Sequence, residues 1–165
     1  VSFKQLNAGE EDPEGTYSLI ISNFTIQWMN DPALGLEKLT TKLKPGGILL
    51  CSFPGEKSFP EWYEKCLELG LPYTANPLPN VEKLGIHLSM GPVQIDFYEN
   101  EITQKFESSM GFFRHLKDLG ASVNIQGKQL TPKQFRLLTR HLDSTEEQIK
   151  VTWHTVYLAA KKEDI

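Results

Sequence analysis

Two stretches, Tyr17-Ser-Leu-Ile-Ile-Ser-Asn-Phe-Thr-Ile-Gln-Trp28 and Leu43-Lys-Pro-Gly-Gly-Ile-Leu-Leu50, decide how this chain is read. Residues 17–22 form a short apolar run, the pattern of a strand buried on both faces of a parallel sheet, and residues 48–53 repeat it. Between them, Asp31-Pro32 offers an N-cap followed by proline at the first helical position. Leu36, Leu39 and Leu43, at i, i+3 and i+7, then draw one core-facing stripe. Lys44-Pro-Gly-Gly47 stops that helix, because proline bars continuation and the glycines supply the turn. Strand, helix, turn and strand, with about 20 residues from one strand to the next, make a βαβ crossover.

Working outward, Val1–Leu6 alternates weakly like a strand, and residues 7–15 form an acidic loop. Downstream, Ser58–Leu69 reads as a helix closing at Gly70. Residues 71–92 hold Pro72, Pro77, Pro79 and Pro92 and read as a long irregular segment, a lid or substrate insert. A strand resumes where Val93, Ile95 and Phe97 alternate with polar residues. A helical insert is expected over 108–142. Its first helix, Ser108–Leu119, has Phe112, Phe113, Leu116 and Leu119 on one face. Its second is opened by the capping box Thr131-Pro-Lys-Gln134 and runs through His141. Ile149–Ala160 is a final strand. The pattern predicts one α/β domain over 1–165, a parallel sheet finished by an antiparallel pair, with helices on both faces.

The 165 residues carry a formal net charge of −4 with both signs mixed, which argues against a nucleic-acid binder working through a general basic field. No apolar run approaches the ~18 residues of a membrane span. No basic, apolar-cored leader is present, and a cytoplasmic setting is expected. Cys51 and Cys66 read as buried free thiols, and His87, His115, His141 and His154 lack metal-ligand spacing, so no metal is expected. Gly46-Gly47 fails as a phosphate cradle, since it follows a helix and precedes a strand. The chain opens at Val1 inside a strand-like run without an initiator Met and reads as part of a longer protein.

Taken together, Ser22-Asn23, Gln27-Trp28 and the Leu-Lys-Pro-Gly-Gly turn at 43–47 resemble the fourth and fifth strands of class I S-adenosylmethionine-dependent methyltransferases. Phe112-Phe-Arg-His-Leu-Lys-Asp-Leu-Gly-Ala121 and Trp153-His-Thr-Val-Tyr-Leu-Ala-Ala-Lys161 are similar to that family's biotin-synthesis branch. That branch methylates the free carboxylate of a malonyl group on acyl carrier protein. A cousin branch, the complex I assembly factors that hydroxylate arginine, shares the late block. The resemblance implies the C-terminal part of a Rossmann-like sheet: strands four to seven and a remnant of strand three. The N-terminal strands, glycine loop and ribose-binding acid would lie upstream of Val1.

It also implies S-adenosylmethionine as cofactor. The adenine-holding pair falls on Asn7-Ala8, with Asn where the family usually has Asp, and Ser22, Asn23 and Phe24 line the methionine end. Asn23 has a second reading, satisfying backbone groups where strand becomes loop. On the substrate side stand Gln27 and Trp28, although Trp28 also reads as a core aromatic. Arg114 and Lys117, one helical turn apart, suit a malonyl carboxylate or a pantetheine phosphate as well as a solvated helix face. Lys133, Arg136 and Arg140 form a basic stripe that would steer an acidic carrier protein, or simply face water, while Phe135, Leu138 and Leu142 face the core. No catalytic residue is expected, because a carboxylate is already ionised at neutral pH. Three readings stand beside this one: the same fold acting on another small acid or on a protein, the related arginine hydroxylase, and a non-catalytic assembly factor. The chain by itself is expected to bind cofactor poorly and to pair or swap through the exposed edges of 1–6 and 17–22.

Overall fold

The computed structural model of the protein describes residues 5–6, 11, 13–121, 127–144 and 147–164. Four strands, β1 (Tyr17–Asn23), β2 (Leu43–Pro54), β3 (Val93–Phe106) and β4 (Ile149–Lys162), form one sheet in the order β1-β2-β4-β3. Among the described residues five α-helices accompany them: α1 (Pro32–Thr41), α2 (Pro60–Glu68), α3 (Val81–Ser89), α4 (Ser109–Asp118) and α5 (Pro132–Asp143). β1 and β2 are parallel, with Ser22 beside Cys51 and Asn23 beside Ser52. β4 runs antiparallel to β2, Cys51 pairing with Leu158. The α/β class, the crossover and the antiparallel closing strand are therefore as the sequence predicts. The strand-like reading of 1–4 lies outside the described residues.

The chain groups into two compact units. One is formed by the residues up to Glu56, Leu78–Asn100 and the residues from Thr155 on; the other by Lys57–Pro77 and Glu101–His154. In the first unit, α1 starts where expected: Asp31 leaves the helix backbone and its Oδ1 accepts from the Leu34 amide at 3.0 Å. Alternation along β2 and β4 sends Leu49, Cys51, Phe53, Val156, Leu158 and Ala160 inward, where they pack with Leu36 of α1 and Leu84 and Leu88 of α3.

Three expectations are corrected here. Leu43 is buried, but it starts β2 instead of closing the helical stripe, because α1 ends at Thr41. The segment 71–92 is not irregular throughout. Asn80 caps α3, its Oδ1 accepting from the Lys83 amide at 2.8 Å, and Val81, Leu84 and Leu88 bury an i, i+3, i+7 stripe. All four prolines of that segment lie outside the helix, so they could not break it. Third, β1 is not buried on both faces: Leu19 is 52% and Ile21 68% exposed. In the first unit, α1 and α3 pack on one sheet face. The other face carries Leu19, Ile21, Ile48, Leu50 and Tyr157, which are 37% to 68% exposed.

The second unit is built on aromatic rings. Phe112 of α4 lies 5.6 Å from Phe59, 6.0 Å from Trp62, 5.5 Å from Phe106 and 5.1 Å from Phe113 between ring centroids. Phe113 meets Phe135 of α5 at 5.1 Å. The Asp143 carboxylate, at the end of α5, accepts from the Ser109 amide at 2.6 Å and its hydroxyl at 3.0 Å, so an anion closes the positive end of α4. α5 opens with the expected capping box between Thr131 and Gln134, and Leu138 and Leu142 are buried as the stripe predicted.

Burial pushes the Cys51 thiol up to about 12 from an ordinary 9.0, and raises Tyr73 in the second unit through burial, then Cys66 and Glu61. For groups raised in the folded state, the stabilisation is whole below the unfolded pKa and is lost as pH climbs towards the folded one. Stability should therefore fall from pH 9 to about 12 on account of Cys51, and from pH 10 upward on account of Tyr73, by about 1 kcal/mol per pH unit for each group. Urea midpoints followed across that range test this. A Cys51→Ala variant with an unchanged slope would remove Cys51 from the account.

Candidate functional site

β1 and β2 run parallel, so their carboxyl ends lie side by side, which is where open α/β sheets place ligands. Ser22, Asn23 and Phe24 sit at that end of β1, as expected, although β1 is the edge of the four-stranded sheet and not a central strand. Ser52, at the same level of β2, donates its hydroxyl to Asn23 Oδ1, leaving the Asn23 amide nitrogen as the exposed donor of the pair. Ser52 was not foreseen. Aligning the carboxyl ends of two parallel strands would have paired it with Asn23.

The chain then turns sharply. Phe24 adopts φ 50°, in the left-handed region that a bulky residue seldom enters. Its amide donates to the Ser52 carbonyl at 2.8 Å, and its carbonyl accepts from Gln27 Nε2 at 2.8 Å. Thr25 Oγ1 donates to the Asn23 carbonyl at 3.2 Å. A single 3-10 turn, Ile26–Trp28, follows, anchored by Ile26, which is wholly buried. Phe24 is 41% and Trp28 50% exposed, so the core reading of Trp28 does not hold.

Beside this turn an open groove of about 420 Å³ runs across the first unit, lined among others by Ser22, Asn23, Ser52, Asp96, Tyr98 and Tyr157. It joins hydroxyls and amides to an apolar floor, a surface suited to a small organic ligand rather than to a metal ion. Among the described residues no three His, Cys, Asp or Glu side chains gather as metal ligands. The Cys51 side chain points to the opposite, core face of the sheet, where burial raises its thiol.

Of the other candidates, Asn7 and Ala8 lie outside the described residues. Ser22, Asn23, Phe24, Gln27 and Trp28 come together in the first unit. Arg114 and Lys117 stand exposed on α4, and Lys133, Arg136 and Arg140 exposed on α5, all in the second unit. Among the described residues no helix is long and apolar enough to cross a membrane.

Comparison with known proteins follows the same line. The malonyl-acyl-carrier-protein O-methyltransferase of Magnetococcus marinus is 30% identical over 146 residues, covering 87% of this chain and 53% of that protein. The biotin biosynthesis bifunctional protein of Bordetella avium is 33% identical over 131 residues, covering 79% of this chain and 27% of its own length. The chain thus spans about half the length of the curated O-methyltransferases it matches. In fold, the YcgJ protein of Bacillus subtilis aligns over 98% of this chain and 70% of its own, with a TM-score of 0.62 at 11% identity. The sequence profile of the methyltransferase domain matches residues 1–89, more than half of the 165. With the crossover, the strand-end turn and this match in agreement, the chain belongs to the methyltransferase-domain family.

Proposed function

We propose that the protein of which this chain forms a part methylates the free carboxylate of a malonyl group carried on acyl carrier protein. The observation that carries this reading is the pinned Ser22–Phe24 turn at the carboxyl end of β1, in a chain 30% identical to a malonyl-acyl-carrier-protein O-methyltransferase. The residues present suit the methionine end of S-adenosylmethionine: the Asn23 amide nitrogen, unpaired among the described residues, is a donor for a carboxylate, and the exposed Phe24 ring is a face for a cation. When bound, S-adenosylmethionine supplies a methyl group from its sulfonium. The acceptor carboxylate is ionised at neutral pH, so no side chain need remove a proton, and none is assigned a catalytic role. The protein's part is to align the two and exclude water. Methylation turns a charged acyl end into a neutral ester, which an apolar acyl site accepts more readily.

Arg114 and Lys117 are proposed to hold the anionic end of the substrate, and Lys133, Arg136 and Arg140 to steer the acidic carrier. The test uses tritiated S-adenosylmethionine with malonyl-carrier protein and with a small malonyl thioester. The intact protein is expected to methylate both, and the 165-residue chain alone neither. Arg136→Glu with Arg140→Glu should cut use of the carrier-bound substrate about tenfold at low salt, and less at 0.15 M salt, where charges are screened beyond about 8 Å. The small thioester should be spared. Equal losses on both substrates would make the stripe mere surface. Transfer to neither, with transfer to another small acid or to a protein, would replace the acceptor.

A further inference from the structure

We propose that Gln27 is a positioning residue: it holds the Phe24 backbone in its left-handed conformation and thereby sets the Asn23–Phe24 turn for the cofactor. The inference rests on the methyltransferase reading above only in its last clause.

Phe24 has φ 50°, and a side chain of this size does not settle there unless neighbours over-determine it. Its two backbone groups are pinned from opposite sides. The amide donates to the Ser52 carbonyl on β2 at 2.8 Å, and the carbonyl accepts from Gln27 Nε2 at 2.8 Å. The arm is firm, because Gln27 lies in the 3-10 turn between Ile26, wholly buried, and Met29, also buried.

The other end of the same amide makes the case. Gln27 Oε1 is buried and has no hydrogen-bond partner among the described residues. Turning the amide over would set two oxygens against each other at Phe24, so the orientation is dictated by the bond to the Phe24 carbonyl. An apolar side chain of equal length would fill this place without leaving an oxygen unpaired. A glutamine that carries that penalty is there for its donor. With one end bonded to backbone and the other buried, this amide does not face the groove, so its effect on a ligand passes through Phe24 and Asn23.

The test uses the intact protein and Gln27→Met, which keeps the length and removes the donor. Amide exchange at Phe24 should quicken about five- to tenfold, as expected for one lost hydrogen bond, while exchange at Leu49, in the sheet core, stays within about twofold. The dissociation constant for S-adenosylhomocysteine, by calorimetry, should rise about five- to tenfold. Gln27→Glu, which sets a carboxylate oxygen against the Phe24 carbonyl, should do worse on both. If Gln27→Met unfolds the domain, Gln27→Asn removes the same donor by falling one methylene short. Unchanged exchange at Phe24 overturns the inference, whatever happens to binding. Faster exchange with unchanged affinity leaves Gln27 holding Phe24 but removes the turn from the cofactor site. Failure of the unmodified protein to bind S-adenosylhomocysteine would overturn the methyltransferase reading alone, since the exchange measurement still decides the role of Gln27.

Discussion

Replacing Phe112 by alanine is expected to cost about 3–5 kcal/mol, the range for emptying a fully buried aromatic site. Phe112 is 1% exposed and touches Phe59, Trp62, Phe106 and Phe113, so its loss removes the ring that joins α2, β3 and α4 inside the second unit. Rings offset or tilted as these are also lose their edge-to-face attraction, about 1 kcal/mol per pair. The cost should appear in urea unfolding followed by the fluorescence of Trp62 and Trp153, both in that unit. Phe112→Leu should recover a good part of it, because leucine refills most of the volume. A loss under 1 kcal/mol for Phe112→Ala would mean that these rings are not the core of that unit.

Lys44-Pro-Gly-Gly47, expected as a turn, forms the first part of β2, and its two glycines should fail for different reasons. A Cβ on Gly47 would stand 2.8 Å from the Lys44 carbonyl oxygen and 3.0 Å from that of Tyr17. Both are backbone atoms, one of them on the neighbouring strand, so relief requires moving the chain where β1 first meets β2. Gly47→Ala is therefore expected to cost about 3 kcal/mol, the upper part of the range for overpacking, and to lower Tm by roughly 6–12 °C in a domain of this size. Gly46 has φ 70°, and there alanine pays about 1–2 kcal/mol for the left-handed backbone. Its close neighbour, an Asp164 side-chain oxygen at 2.7 Å, can swing away. Asparagine, which tolerates φ > 0, should recover part of the loss at 46 and make matters worse at 47. Thermal melts of the four variants decide this, and a neutral Gly47→Ala would remove the close approach.

The elements that repeat a local pattern were legible in the chain itself. Asp31-Pro32 and Thr131-Pro-Lys-Gln134 announced two helix starts, because a cap is a contact between residues three apart. Asn80 was a signal of the same kind, obscured by the prolines around it. β3 was legible only to Phe97. Beyond that its residues are mostly polar and exposed, and the strand continues to Phe106 beside β4, which no local pattern reports.

What the sequence by itself determined is the class of fold, the crossover that joins β1 to β2, and the place of Ser22–Phe24 at a strand's carboxyl end. Each follows from residues close in the chain. Tertiary structure alone decided that Ser52 orients Asn23 and that α3 shares a core with α1. Among the described residues, it also left the apolar run of β1 open on one side. An apolar residue carries the tendency to be buried, but whether anything covers it depends on surfaces brought from elsewhere in the chain, and periodicity holds no record of those.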